Sequence, residues 1–274
     1  MLILLVFFIL SFIFTYNIVI KKIYNCFANS TTNDVLSTTN NYKTTTVKNN
    51  KILLNKIFNH AVPESNITVE DTYFNDVIFI GDSITNGIQL YKTAKCADIV
   101  SKTGLNIESI IKEPIEINNQ TLSVLQAIKQ SNKNKIYIMI GSNGIGWLKI
   151  DYMVNLYKDW LTQLRAEIPN SIIYVQSVLP ITKELSDYNQ RKNDCLTNSK
   201  IDEYNNAVFN MCKENHFFYL NVAEAFKGND GFLPKDASPV DGMHINSNYY
   251  NIWLDYIKTH IISDSVAKNV RNLL

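Results

Sequence analysis

The chain has 274 residues, 46% hydrophobic and 19% charged, which is enough for one well-buried domain of about 200 residues with additional segments. Its formal net charge of +1 and its scattered lysines exclude the basic excess that is typical of nucleic-acid-binding proteins. The four cysteines form no CxxC pair, which argues against a structural zinc site, and we expect free thiols rather than a disulfide framework. These cysteines are Cys26, Cys96, Cys195 and Cys212.

The first twenty residues contain no charged side chain, and their only clearly polar positions are Ser11, Thr15 and Asn17. A helix of about 20 apolar residues matches the roughly 30 Å hydrocarbon core of a bilayer. We therefore predict an N-terminal transmembrane anchor over residues 1–22. A cleaved signal peptide is the main alternative, although the segment lacks a basic n-region and a clean A-x-A cleavage site.

The next segment is rich in Asn, Thr and Ser, is poor in large apolar side chains and shows no sustained hydrophobic period. Such a segment cannot bury enough apolar surface to offset the entropy that it loses on ordering. We predict a polar stalk over residues 23–65 and a folded domain over residues 66–274.

Short apolar runs alternate with longer amphipathic stretches in the predicted domain. Continuous apolar runs are typical of a parallel sheet that is covered on both faces, and their alternation with helices predicts an α/β domain with three layers, α/β/α. The predicted strands lie at 77–80, 98–101, 136–140, 172–175 and 217–220. The predicted helices lie near 84–92, 121–131, 150–167, 198–214 and 247–262.

A serine stands where the first predicted strand passes into a helix, in the sequence Gly81-Asp82-Ser83. Functional sites in open parallel sheets gather at the C-terminal ends of the strands. The free N–H groups and the dipole of a helix N-terminus favour the negative charge that develops during acyl transfer. Ser83 is therefore a candidate nucleophile, with a simple N-cap as the structural alternative. It does not lie in a G-x-S-x-G elbow, because residue 85 is threonine.

The sequence Asp241-Gly242-Met243-His244 directly precedes the last predicted helix. A hydroxyl nucleophile needs a nearby base, and that base needs a carboxylate to orient it. Asp241 and His244, three residues apart on one loop, can meet both needs. The same spacing also occurs in turns that carry a surface histidine, so the pair alone does not decide between the two.

Two further strand ends carry residues that can stabilise an oxyanion. Asn143 follows the strand at 136–140, and its side-chain amide can donate a hydrogen bond there. Gly104 follows the strand at 98–101, where a glycine lets a backbone N–H approach a substrate. Each position is also compatible with a simple turn.

These candidates follow successive predicted strands in the order Ser, Gly, Asn, His, with an Asp three residues before the His. The arrangement closely resembles the SGNH hydrolase superfamily, also called GDSL-like esterases and lipases. The resemblance runs from about residue 76 to residue 262, nearly the whole predicted domain. Gly81-Asp82-Ser83 resembles the first block of the superfamily, Gly104 the second, Gly141-Ser142-Asn143 the third, and Asp241 with His244 the fifth.

The resemblance implies a flavodoxin-like fold with a five-stranded parallel sheet, and neither a metal nor an organic cofactor. In the implied catalytic triad, Ser83 attacks an ester carbonyl, His244 takes the serine proton and returns it to the leaving alcohol, and Asp241 holds the imidazole tautomer. The implied oxyanion hole consists of the Ser83 N–H, the Gly104 N–H and the Asn143 side-chain amide.

The sequence departs from the superfamily pattern at two points. The third block commonly reads Gly-x-Asn-Asp, whereas Gly144 stands here in place of the aspartate. The second block lacks the glycine and asparagine that usually flank it. Neither change removes a residue of the implied triad.

The implied activity is hydrolysis of a carboxylic ester, and we expect a short acyl group, such as acetate on a carbohydrate or cell-wall polymer. The enzymatic alternatives are an O-acyltransferase that acts on cell-wall sugar hydroxyls, and a lipase or lysophospholipase. A non-catalytic binding module tethered to the membrane is the alternative from another class. Loss of a triad residue would mark such a module, and all three are present.

The orientation of the predicted anchor depends on few charges. Lys21 and Lys22 follow the apolar segment and no basic side chain precedes it, so the positive-inside rule alone would place the domain in the cytoplasm, as in a cytoplasmic thioesterase. A large domain can nevertheless translocate despite a modest charge bias. Since an anchor and a stalk suit an enzyme at the cell surface, we expect a single-pass membrane protein with an extracytoplasmic catalytic domain.

Overall fold

The computed structural model describes residue 50 and residues 52–117, 119–192 and 196–274. The chain divides into two units, Met1–Leu53 and Leu54–Leu274, and the second contains the fold described below. The predicted transmembrane anchor and residues 23–49 of the predicted stalk lie outside the described residues. Within the described residues, no helix combines the length and the apolar character needed to cross a bilayer.

A five-stranded parallel sheet forms the centre of the second unit. The strands of the chain are β1 (Val77–Gly81), β2 (Asp98–Ser101), β3 (Ile115–Ile117), β4 (Gln120–Leu122), β5 (Lys135–Met139), β6 (Ile172–Gln176) and β7 (Phe218–Leu220). The order across the sheet is β2-β1-β5-β6-β7, while β3 and β4 pair as a separate antiparallel hairpin. If the five strands of this sheet are renumbered in chain order without β3 and β4, the order is 2-1-3-4-5, the flavodoxin-like order that the resemblance implies.

The apolar runs of the strands are buried on both faces, which explains why they are continuous rather than alternating. All five residues of β1 are buried. Ile78 and Ile80 pack into one half of the core, and Val77 and Phe79 pack into the other, because successive side chains point to opposite faces of a sheet. The sheet therefore separates two apolar layers.

Helices cover both faces and complete the predicted three-layer α/β/α sandwich. The α-helices after residue 80 are α1 (Ser83–Leu90), α2 (Ser109–Lys112), α3 (Val124–Ser131), α4 (Ser142–Ile145), α5 (Ile150–Glu167), α6 (Lys183–Arg191), α7 (Asn198–Asn215), α8 (Ser247–Thr259) and α9 (Asp264–Leu273). Buried side chains of α3, α5 and α7 pack into one half of the core, and those of α1, α8 and α9 pack into the other.

The folded unit begins earlier than the predicted boundary at residue 66. Leu54, Phe58 and Val62 are buried in the same half of the core as α1 and α8. The Phe58 ring lies 5.0 Å from the ring of Phe218, and the Val62 N–H donates to the Tyr219 carbonyl at 2.8 Å. The stalk prediction is wrong for this part. Leu54 and Phe58 lie four residues apart on one face of a helix over 52–58, and Val62 follows that helix, so three buried apolar side chains stand within a polar composition.

The two cysteines within the described residues, Cys96 and Cys212, are free thiols. Cys96 is exposed, whereas Cys212 is buried in the core and burial raises the pKa of its thiol. The expectation for Cys26 and Cys195 concerns positions outside the described residues.

Candidate active site

Ser83 is the first residue of α1, directly after the turn that leaves β1. The Asp82 carboxylate caps the helix, since its Oδ1 accepts the Ile84 N–H at 2.9 Å. Gly81 is needed for the sharpness of this turn, because a Cβ at residue 81 would lie 2.0 Å from Thr85 Oγ1. The turn thereby places the Ser83 hydroxyl at a helix N-terminus, at the carboxyl end of the sheet.

A chain of hydrogen bonds links the three predicted triad residues. Ser83 Oγ lies 2.9 Å from His244 Nε2, and His244 Nδ1 lies 2.6 Å from Asp241 Oδ2. The structure therefore brings together, in the order that acyl transfer requires, a hydroxyl, an imidazole and a carboxylate. The His244 side chain is 47% exposed, so solvent reaches the imidazole.

The Asp241 carboxylate is held by its own loop. Its Oδ1 accepts the N–H groups of Met243 and His244, both at 2.9 Å, and the Ser238 hydroxyl at 3.1 Å. Partial burial acts to raise the pKa of Asp241, but these two N–H bonds and the imidazole of His244 outweigh it and lower that pKa to about 2. Asp241 is therefore ionised at neutral pH, with Oδ2 directed to the histidine.

Gly242 fixes the position of this loop against the segment that follows β6. Its φ of +79° lies in the left-handed region that favours glycine, and a Cβ there would lie 2.5 Å from Thr182 Oγ1. The Gly242 carbonyl accepts the Thr182 N–H at 2.9 Å. The loop that carries the candidate base is thus attached to the residue that caps the N-terminus of α6.

Asp82 is a further site residue for which sequence reasoning assigns no role. It is buried, and its Oδ2 accepts both the Ser142 hydroxyl at 2.7 Å and the Asn143 side-chain amide at 2.8 Å. Burial raises the pKa of Asp82, against the hydrogen bonds from Ser142 and Ile84 that lower it. Its place directly before the candidate nucleophile is the only signal that the sequence offers.

The predicted oxyanion donors lie on adjoining loops. Asn143 Nδ2 also donates to the Leu105 carbonyl at 3.3 Å, so both of its amide hydrogens are engaged. Gly104 precedes Leu105 and has a φ of +77°. Within the described residues, the N–H groups of Ser83 and Gly104 donate no hydrogen bond, and no hydrogen bond joins Gly104 to Ser83. The departure at Gly144 leaves the link from Asn143 to Asp82 in place.

A small apolar pocket borders the site. Its empty volume is about 280 Å³, and it is lined by residues adjacent in sequence to the site residues, among them Ile84, Ser142 and Met243. The loop after β6 supplies a further wall that includes Val178 and Ile181.

Two buried asparagines of α7 hold this wall. Asn205 accepts the Val178 N–H at 2.8 Å and donates to the Val178 carbonyl at 2.9 Å. Asn198 makes the same pair of bonds with Ile181, at 3.1 and 2.7 Å. Because each amide satisfies both backbone groups of one residue, the loop has its buried polar groups paired and its position fixed. Within the described residues, no three His, Cys, Asp or Glu side chains are grouped to hold a metal ion.

Comparisons with known proteins bear on the fold. The sequence matches no protein-family model and no curated protein. Among solved structures, a protein from Streptococcus pneumoniae provisionally described as a platelet activating factor has a TM-score of 0.53 at 18% identity, over 82% of this chain and 96% of that one. An acylhydrolase, also so described provisionally, from Bacteroides fragilis has a TM-score of 0.52 at 13% identity, over 76% and 92%.

A GDSL-like lipase from Bacteroides thetaiotaomicron has a TM-score of 0.51 at 16% identity, over 78% of this chain and 95% of that one. The chain has the GDSL-like, or SGNH, hydrolase fold. At these identities the likeness concerns the fold, which confirms the sequence-based resemblance at that level. The SGNH fold places the ends of β1, β2 and β5 side by side, and these are the strand ends that precede Ser83, Gly104 and Asn143.

Proposed function

We propose that this chain is a serine-dependent hydrolase of carboxylic esters that works through an acyl-serine intermediate. The observation that carries the proposal is the unbroken hydrogen-bond chain from Ser83 through His244 to Asp241, with distances of 2.9 and 2.6 Å. The SGNH fold supports it, because GDSL-like lipases share this architecture.

In the proposed first step, Ser83 Oγ attacks the ester carbonyl carbon while His244 Nε2 accepts the hydroxyl proton. The tetrahedral intermediate collapses when His244 returns this proton to the alkoxy oxygen and the carbon–oxygen bond breaks, which releases the alcohol and leaves acyl-serine. Water then gives a proton to His244 and attacks the acyl carbon, and the acid departs as Ser83 recovers its proton. Asp241, ionised throughout, orients the imidazole and stabilises its charged form.

The developing oxyanion would be stabilised by the free N–H groups of Ser83 and Gly104 and by the side-chain amide of Asn143. Asn143 is already oriented by Asp82, and its bond to the Leu105 carbonyl, at 3.3 Å, is the longer of the two. We infer that the substrate oxygen replaces Leu105 as the acceptor of this amide hydrogen, while the bond to Asp82 is kept.

The pocket beside the site favours a short acyl group such as acetyl. Its walls are fixed by Asn198 and Asn205, so a long acyl chain would have to displace paired backbone. The exposure of His244 favours hydrolysis over transfer to another alcohol, because a transferase must keep water away from its acyl intermediate. Anchoring by residues 1–22 and an extracytoplasmic location remain part of this proposal as predictions from sequence.

The test is hydrolysis of p-nitrophenyl acetate, butyrate and octanoate by the full chain and by its Ser83→Ala variant. We expect the acetate to react fastest and Ser83→Ala to lose activity by roughly 10⁴-fold. Ser265→Ala is the matched control, because Ser265 is exposed on α9 and bonds only to Ser263 among its described hydrogen bonds. A Ser83→Ala variant as active as the wild type would refute the serine mechanism, and a preference for octanoate would refute the short acyl group.

A further inference from the structure

Trp147 presents its indole ring to solvent beside the candidate active site. This residue is 63% exposed, whereas the other two tryptophans of the chain, Trp160 and Trp253, are 5% and 0% exposed. An indole combines a large apolar face with one polar N–H group, which suits an exposed tryptophan to packing against a ligand that has an apolar face.

The exposed ring is held in place rather than free. Trp147 Nε1 donates to the Asn143 carbonyl at 2.7 Å. Asn143 is the residue whose side-chain amide reaches Asp82, next to Ser83. The indole is therefore fixed by one hydrogen bond to a candidate oxyanion donor, and little rotamer entropy remains to be lost when a ligand packs on it.

Polar groups accompany the ring. The segment that carries Trp147 is joined to the loop after β2 at two points, from Asn143 to Leu105 at 3.3 Å and from the Tyr152 hydroxyl to Glu108 Oε1 at 2.6 Å. Trp147 lies between these two contacts in sequence. The segments joined at these two points thus carry a flat apolar face together with a phenol and a carboxylate, a combination that suits a sugar ring with its C–H face and its hydroxyl groups.

We propose that Trp147 determines specificity by stacking on a sugar ring in the alcohol moiety of the ester, with Glu108 and Tyr152 placed to bind sugar hydroxyls. The inference rests on the proposed ester hydrolysis and adds its substrate class, an O-acylated carbohydrate. The acyl group then lies toward the pocket that Ile84 and Met243 line, and the sugar lies toward Trp147.

A binding test uses full-length Ser83→Ala, which would hold substrate without turnover, and acrylamide quenching of tryptophan fluorescence. Since the other two tryptophans are buried, the quenchable signal comes from Trp147. We expect 6-O-acetylglucose to protect this signal from quenching by acrylamide. Ethyl acetate at the same concentration should give no protection. A Ser83→Ala, Trp147→Phe double variant should lack the quenchable signal. Absence of protection, or equal protection by ethyl acetate, would overturn the proposal.

A kinetic test compares kcat/KM for 6-O-acetylglucose and ethyl acetate. We expect Trp147→Ala to lower the value for the sugar ester by roughly fivefold to tenfold, the scale of one aromatic stacking contact. The value for ethyl acetate should fall less, because this ester has no ring to stack, so the ratio of the two values should drop. Both esters should stay within about twofold in Ile67→Ala, a control at a residue that is 66% exposed and distant in sequence. Trp147→Phe should retain most of the sugar-ester activity, because it keeps an aromatic face.

The outcomes separate the two proposals. If Trp147→Ala and Trp147→Phe lower kcat/KM equally for both esters, the indole acts only through its bond to the Asn143 carbonyl, and sugar stacking on Trp147 is refuted. If kcat/KM changes for neither ester in either variant, the indole makes no contact that matters for turnover, and sugar stacking is refuted as well. If Ser83→Ala hydrolyses both esters as fast as the wild type, the proposed function itself fails, whatever the Trp147 variants show.

Discussion

The Asp82 carboxylate holds the Asn143 side-chain amide at 2.8 Å, so the residue before the candidate nucleophile positions a candidate oxyanion donor on the neighbouring strand end. The same oxygen binds the Ser142 hydroxyl, and the other oxygen caps α1 through the Ile84 N–H. A carboxylate as buried as Asp82, 1% exposed, is costly unless such hydrogen bonds compensate for its lost hydration. We infer that Asp82 is a positioning residue for the oxyanion hole.

Asp82→Asn should lower kcat with little change in KM. The new amide has a single acceptor oxygen, so it cannot accept the Ile84 N–H on one side and the Ser142 and Asn143 hydrogens on the other. When its oxygen caps α1, its NH₂ group faces the Asn143 amide, and Asn143 loses its orientation. We expect a fall in kcat of about 10- to 100-fold on p-nitrophenyl acetate, somewhat less than the loss of a complete oxyanion donor. Circular dichroism should show a folded chain, since burial already disfavours the charge of Asp82. Unchanged kcat would refute the positioning role.

Asp241→Asn should reduce kcat at neutral pH by about 10³- to 10⁴-fold, because the neutral amide neither stabilises the imidazolium nor holds the tautomer that exposes an acceptor nitrogen to Ser83. The double variant Asp241→Asn, His244→Ala should lose much less activity than the product of the two single losses, since the residues act as a unit. Asp236→Asn, a change at an exposed carboxylate of the same loop, is the matched control and should stay near wild type. If the two single losses of activity simply multiplied in the double variant, the two residues would not act as one triad.

Asp241 should also make stability depend on pH in the acidic range. Its pKa in the folded chain, about 2, lies below the ordinary value of 3.8, so its interactions stabilise the fold fully above the ordinary value. That contribution is lost as the pH falls from 3.8 toward 2. The difference in Tm between the wild type and Asp241→Ala should therefore shrink over this range. A difference that is constant between pH 7 and pH 2.5 would show that protonation of Asp241 is not involved.

Gly87→Ala should destabilise the fold through Tyr250. A Cβ at residue 87 would lie 1.8 Å from the Tyr250 hydroxyl oxygen, which donates a 2.7 Å hydrogen bond to the Ile84 carbonyl. We expect a loss of roughly 1–3 kcal/mol in the free energy of unfolding, measured by urea denaturation. In a Tyr250→Ala background the same change should cost clearly less, because the obstructing ring is gone. Equal costs in both backgrounds would place the strain elsewhere.

Phe58→Ala should test where the folded unit begins. Phe58 is 3% exposed and packs on Phe218, so its truncation should cost about 3–5 kcal/mol of unfolding free energy in the full chain. Ile52→Ala, at a residue that is 58% exposed, should stay within about 0.5 kcal/mol. If Phe58→Ala and Ile52→Ala had the same free energy of unfolding, the result would support the predicted stalk boundary at residue 65 instead.

The elements that the sequence predicts well are those whose apolar pattern is strong. The helix at Ile150–Glu167 agrees with its predicted range at both ends, because five buried side chains recur along it at helical spacing. Lys183–Arg191 was not predicted, since its buried residues are the polar Ser186 and Asn189. The hairpin of Ile115–Ile117 and Gln120–Leu122 escapes prediction as well, because three-residue strands are too short to show a period.

For the site, the order of residues along the chain predicts which side chains meet, because parallel strands end at one edge. The hydrogen bonds of Ser83, His244 and Asp241 agree with that expectation, while their catalytic roles remain predictions. The link from Asp82 to Asn143 and the exposure of Trp147 could not be predicted. Both depend on side-chain directions across the sheet edge, which composition and spacing do not encode.

The hydrogen bond between Ser83 and His244 joins residues that are 161 positions apart in sequence. Because closing so long a loop costs chain entropy before the contact contributes any stability, we expect this contact to form late in folding. Hydrolytic competence should then return after most helical circular dichroism when the denatured chain is refolded. The time at which hydrolysis of a chromogenic ester recovers would thus report when the C-terminal part of the domain packs onto the sheet.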